Sequence, residues 1–206
     1  MNSANVHLFV FDTMADWEAA FAISAINSSQ FQSEPGRHRV VTAAASLAPI
    51  TTMGGVRIQP DVTLDAVTSE SSAMLILPGG GAWEDGRNDG ALRIASQLMA
   101  SGVPVAAICG ATLALARAGF LDKVRHTSNA REYLISSGYH GTGFYCGVPA
   151  VTDKNVITAT GIAPVDFARE IFSKLNFYSP ACLDAWYALF KYGDAEKYHA
   201  FAGGQA

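Results

Sequence analysis

Three short, mostly apolar runs, Val6 to Phe11, Ala73 to Leu77 and Val103 to Ile108, each stop abruptly at residues suited to a tight turn. These are Asp12-Thr13, Pro78-Gly79-Gly80-Gly81 and Cys109-Gly110. Runs of this length, rich in Val, Ile, Leu and Phe, suit strands buried on both faces. Such strands need helices above and below them, and the intervening sequence supplies helices. Asp12-Thr13 is expected to start one, with Trp17, Phe21, Ile23 and Ile26 at roughly helical spacing. Asp89 to Ser101 forms another, stopped by Gly102, and Thr112 to Ala118 a third, stopped by Gly119. Pro164 to Leu175 and Pro180 to Tyr192 each carry Pro in their first turn, and Ala130 to Ser136 is read as helical. Arg39 to Ala44, Phe144 to Val151 and Val156 to Thr160 are further strands, and Ile50 to Ile58 is a hairpin around Gly54-Gly55.

This alternation implies a single α/β domain with a mainly parallel sheet and helices on both faces. Ligands of such sheets bind at the carboxyl ends of the strands, where the three turn segments can converge. Composition narrows the partners. Half the residues are hydrophobic, but no run reaches the ~20 apolar residues of a membrane span. Net charge is −4 without a basic cluster, which argues against nucleic acid. No basic region precedes the first apolar run, and Asp12 and Asp16 follow it closely, so a cytoplasmic location is expected. Cys109, Cys146 and Cys182 form no close pair and read as individual thiols.

Cys109 is the residue best placed for chemistry. In Ala107-Ile108-Cys109-Gly110-Ala111 it stands between a strand and a helix, with glycine after it and small residues two positions away on either side. A nucleophile on a strained strand-to-helix turn needs that pattern, because neighbouring backbone approaches closely. A helix N-terminus there favours the thiolate. Gly79, Gly80 and Gly81 match neither nucleotide-binding glycine motif, but such a loop can aim N–H groups at a developing oxyanion. Glu18, just beyond the first strand, can exchange a proton with the thiol. Of the histidines, His7 and His38 lie in or before strands and His199 in the polar tail, which leaves His126 and His140 as candidate bases. No metal-ligand spacing occurs, and no cofactor is expected.

With Cys109 in place the chain resembles the ThiJ/PfpI superfamily of the class I glutamine amidotransferase-like fold. The matching features are Asp12…Trp17-Glu18, Leu75-Ile76-Leu77-Pro78-Gly79-Gly80, the Cys109 elbow leading to Leu115 through Asp122, and Val156 through Gly161 ahead of Pro164. They span about residues 5 to 176. The tail from Tyr178 to Ala206 resembles an extension in a bacterial glutamine amidotransferase-like subgroup, and a C-terminal helical extension is expected at about 178–206. The resemblance implies a flavodoxin-like three-layer sandwich, usually a homodimer, with Cys109 as nucleophile and Glu18 hydrogen-bonded to it. It also implies an oxyanion hole from the Gly80 and Gly110 N–H groups. One branch of the family carries histidine directly after the cysteine, where this chain has Gly110. Other branches carry one further on, a place that aligns with Asn129. His126, Asn129, His140, Tyr145 and Thr160 are therefore expected to line the pocket or supply a base.

The leading expectation is a cysteine-dependent enzyme acting on a small carbonyl or amide compound, as a hydrolase, an amidotransferase-like enzyme or a glyoxalase-like one. The alternatives are a redox or stress-response protein sensing oxidants through Cys109, and a non-catalytic dimeric ligand-binding module. The side chain within hydrogen-bond reach of the sulfur discriminates: a histidine favours hydrolysis, Glu18 alone favours redox or aldehyde chemistry.

Overall fold

The computed structural model describes residues 4–28 and 30–202. The chain alternates β1 (Asn5–Phe9), α1 (Ala20–Asn27), β2 (Val40–Ala44), β3 (Ile50–Thr51), β4 (Arg57–Ile58) and β5 (Val62–Thr63). It continues through β6 (Ser72–Leu77), α2 (Asp89–Ala100), β7 (Val105–Ile108), α3 (Gly110–Arg117) and α4 (Arg131–Ile135). Then come β8 (Ala150–Asp153), β9 (Val156–Ala159), α5 (Pro164–Leu175), α6 (Pro180–Tyr192) and α7 (Lys197–Ala202). Seven strands form one sheet in the order β5-β2-β1-β6-β7-β9-β8, while β3 and β4 make a separate antiparallel hairpin. Every pairing in the large sheet is parallel except β8 with β9. This is a flavodoxin-like α/β fold.

The strand order reverses between β1 and β6: β2 lies on one side of β1, and β7 lies on the far side of β6. Right-handed crossovers then place α1 and α2 on opposite faces of the sheet. Such a reversal opens a crevice at the carboxyl ends of the two strands. The central strands read as continuous apolar runs because both faces are covered; Met74 through Leu77 and Val105 through Ile108 are all fully buried. The small Ala106 and Ala107 leave room for α3, which is itself buried from Gly110 through Ala116. α6 is docked on α5 by the buried Asp166, whose carboxylate accepts from the Tyr187 hydroxyl and the Lys191 ammonium, each at 2.6 Å. Within the stretch expected as a helical extension, the described residues form α6 and α7, and residues 203–206 lie outside the described residues.

Two expected elements are corrected. No helix starts at Asp12-Thr13; α1 begins only at Ala20. Thr13 has φ +67°, outside the right-handed helical region, and the carboxylates that could have capped a helix are used elsewhere. Asp12 accepts the Thr51 N–H at 2.8 Å, and Asp16 accepts the Thr52 hydroxyl and the Gly54 N–H, so both hold the β3–β4 hairpin. Phe144 to Val151 is not one strand either. Thr142–Phe144 is a 3-10 turn, and β8 begins at Ala150, after Pro149, whose missing N–H cannot join a ladder.

Candidate active site

Cys109 joins β7 to α3 with φ +58° and ψ −124°, a conformation that costs a residue with a Cβ on the order of 1–3 kcal/mol. The flanking structure holds it there. Its N–H donates to Ala159 O at 3.1 Å on the strand side, and its carbonyl accepts from the Thr112 N–H and hydroxyl on the helix side. The surrounding backbone is close enough to require glycine. A Cβ on Gly79 would lie 2.6 Å from Cys109 Cβ, and one on Gly110 would lie 3.1 Å from Gly80 O. The small residues around the cysteine are therefore the condition for its exposure on the turn.

Two groups flank the half-buried thiol, an amide and a carboxyl. The Asn129 amide donates Nδ2–H to Sγ at 3.3 Å, and its Oδ1 accepts the Gly161 N–H at 2.8 Å. Thr160 joins through the same oxygen, its hydroxyl donating to Asn129 Oδ1 at 3.5 Å. Glu18 is almost wholly buried; its Oε2 accepts the Gly79 N–H, while Oε1 has no hydrogen-bond partner within normal limits. Oε1 and Sγ face one another across Gly161, where an added Cβ would lie 3.2 Å from the first and 2.8 Å from the second.

Burial pushes the Glu18 carboxyl up to about 7, against the opposing pull of the Gly79 N–H and the Cys109 thiol. Burial likewise raises the Cys109 thiol above its ordinary value; the Asn129 donor lowers it, and the Glu18 charge raises it further. The pair is therefore arranged so that the carboxyl ionises before the thiol, the order a carboxylate base needs. Among the described residues neither the Gly80 N–H nor the Gly110 N–H is taken up by a loop carbonyl, and the Gly110 N–H is directed to the Cys109 sulfur, where it favours the thiolate. The two glycines are adjacent in space, so their N–H groups can meet one oxygen.

These groups open into a cavity of about 220 Å³ whose wall includes Trp17, Met53, Glu84, Asn129 and Tyr133. Trp17 is fixed at the mouth by donating its indole N–H to Gly161 O at 3.0 Å. Met53 comes from the tip of the hairpin that Asp12 and Asp16 hold. The structure thus brings together Cys109, Glu18, Gly80, Gly110 and Asn129, with Thr160 reaching in through Asn129.

Three expected pocket residues lie elsewhere. His126 is fully buried, with Nδ1 on Val124 O at 2.8 Å and Nε2 on the Tyr139 hydroxyl at 3.1 Å. Both nitrogens are committed, and burial lowers its pKa. Tyr145 packs edge-on against His126, centroids 5.8 Å apart, and His140 is exposed with its N–H on Asp122. None of the three is part of the cavity wall. Sequence reasoning missed Met53, Glu84 and Tyr133, which carry no motif; Gly161 just after a strand adds to the small residues around Cys109 as a sign that backbone crowds the thiol. Among the described residues no group of three His, Cys, Asp or Glu could hold a metal ion, and no helix is long and apolar enough to cross a membrane.

A family model described as DJ-1/PfpI matches residues 4–174. The chain is 41% identical over 194 residues to the uncharacterized protease YoaZ of Bacillus subtilis, covering 93% of this chain and 92% of that one. A deglycase of Pyrococcus horikoshii is 36% identical over 104 residues, covering 49% of this chain and 63% of that one. Among solved structures, a thiJ/pfpI family protein from Bacillus anthracis superposes with a TM-score of 0.94 at 41% identity, covering 99% of this chain and 98% of that one.

Proposed function

The chain belongs to the DJ-1/PfpI family, and from that premise we propose that it is a cysteine-dependent enzyme acting on a small carbonyl compound, with Cys109 as nucleophile and Glu18 as proton carrier. The relatives' names, protease and deglycase, belong to those proteins and agree with a hydrolase-like role in general. The observation that carries the finer reading is the company of the sulfur: an amide and a carboxyl, with no imidazole.

Peptide hydrolysis needs an acid for a strongly basic leaving amine, which imidazolium commonly supplies. Addition to an aldehyde or ketone expels no leaving group, and a single carboxyl suffices. In the proposed step the Glu18 carboxylate takes the thiol proton as Sγ bonds to the carbonyl carbon. The carbonyl oxygen becomes an oxyanion against the Gly80 and Gly110 N–H groups. Glu18, now protonated, returns the proton to that oxygen and leaves a hemithioacetal. With an α-oxoaldehyde the same carboxylate carries the C1 proton to C2 while the hydroxyl proton passes from the first oxygen to the second, giving a thioester that water hydrolyses to a 2-hydroxy acid and the free thiol.

A cavity of about 220 Å³ suits a small molecule. Homodimerisation belongs to the same proposal and is read by sedimentation. Oxidant sensing through Cys109 receives less support, because its thiol is pushed up, away from the thiolate that oxidants attack. The test is a panel of aldehydes, amides and isocyanides assayed with the wild type and Cys109→Ala. Turnover of aldehydes, lost in Cys109→Ala, is the expected result. Activity on amides alone, or activity that survives the substitution, overturns the proposal.

A further inference from the structure

The wall of the Cys109 cavity carries a charge pattern that carbonyl addition does not itself require. Its charged side chains among the described residues are Glu18 and Glu84, and none is Lys, Arg or His. Glu84 accepts the Tyr133 hydroxyl through Oε1 at 3.2 Å, which orients the carboxylate beside the cavity; among the described residues Oε2 takes no donor. Glu18 Oε1, deeper in, is also without a hydrogen-bond partner. Arg117 donates to Trp83 O and Glu84 O at 3.4 and 3.3 Å and forms no part of the wall.

A substrate bearing a carboxylate or phosphate would therefore face the Glu84 carboxylate and the Glu18 carboxyl, with no cation among the described residues of the wall. One bearing an ammonium, a guanidinium or an amide N–H would find in Glu84 an acceptor already oriented. Trp17 and Met53, roughly half exposed, add apolar surface to the same cavity wall. We propose that Glu84, oriented by Tyr133, is a specificity-determining residue that selects substrates with a cationic or N–H-bearing group near the reacting carbonyl and rejects anionic ones. This rests on Cys109 being the reacting group.

The test needs no turnover. The full chain is treated at low salt with 2-aminoethyl or 2-sulfonatoethyl methanethiosulfonate. In each case the cysteine loses its proton to buffer, its sulfur bonds to the sulfenyl sulfur, and methanesulfinate leaves. Peptide mass analysis resolves Cys109 from Cys146, a half-buried free thiol that serves as internal reference. The ratio of ammonium to sulfonate modification rates is expected to be about tenfold higher at Cys109 than at Cys146. It should fall severalfold in Glu84→Gln and reverse toward the sulfonate in Glu84→Lys. Glu84 is exposed, so both variants keep the fold. Equal ratios at the two cysteines, or a Cys109 ratio unchanged by both substitutions, overturn the proposal. A protein showing the predicted ratio but no aldehyde turnover would contradict the proposed reaction and leave charge selection standing; turnover without the ratio would do the reverse.

Discussion

Asn129 donates its side-chain N–H to Cys109 Sγ at 3.3 Å while its carbonyl oxygen is held by the Gly161 N–H at 2.8 Å. The second bond decides which end of the amide meets the sulfur. An amide stabilises a thiolate but cannot accept its proton; in the proposed mechanism that proton passes to Glu18, whose free oxygen faces the same space. This division of labour between a donor and a carboxyl is the basis of the following expectations.

Removing the donor in Asn129→Ala should raise the Cys109 thiol pKa further, since hydrogen bonding to a charged group contributes about 1.5–3 kcal/mol. The pH profile of Cys109 alkylation by iodoacetamide should move up by about one to two units. A profile that stays in place would mean that the amide contact does not act on the thiolate.

Glu18→Gln should abolish turnover and, at alkaline pH, stabilise the protein. The folded carboxyl titrates near 7, above its unfolded value of 4.5. Between those values the folded state holds a proton that the unfolded state has lost, so stability falls as pH rises through this window. Glutamine removes that loss while still accepting the Gly79 N–H. Urea unfolding at about pH 8 should show the variant more stable by on the order of 2–3 kcal/mol, and near-equal stability at about pH 4. A variant less stable than the wild type at both pH values contradicts the Glu18 assignment.

Gly161→Ala places a methyl 2.8 Å from Cys109 Sγ and 3.2 Å from Glu18 Oε1. Crowding of this kind typically costs about 1–3 kcal/mol. The displacement falls on the two groups proposed to react, so iodoacetamide alkylation of Cys109 should slow at least tenfold while the far-UV spectrum remains native. Alkylation at the wild-type rate would show that the thiol has room the structure does not give it.

The sheet was legible in the sequence because its central strands are buried on both faces and must be continuously apolar, as Ala73 to Leu77 and Val103 to Ile108 are. The elbow was legible for a related reason: close backbone approach forces small residues around Cys109, and their absence of side chains is itself a pattern. The start of α1 was not, because Asp12 and Asp16 suit a helix N-terminus equally well when nothing reveals that a distant hairpin uses their oxygens. Asn129 was found only as a place where relatives carry histidine. His126 misled because a histidine near the right spacing cannot be told by type from one buried against Val124 and Tyr139. Met53, Glu84 and Tyr133 reach the cavity from three separate loops and elements, and only the fold brings them together.

The central claim, that Cys109 does carbonyl chemistry with Glu18 rather than a histidine moving the proton, is tested most directly by kcat/KM for methylglyoxal from about pH 5 to about pH 9. The predicted profile rises with a midpoint of about 7, keeps that midpoint in His126→Gln, and falls by at least ~10³-fold in Cys109→Ala. A rising limb that disappears in His126→Gln, or a rate that persists in Cys109→Ala, would contradict it.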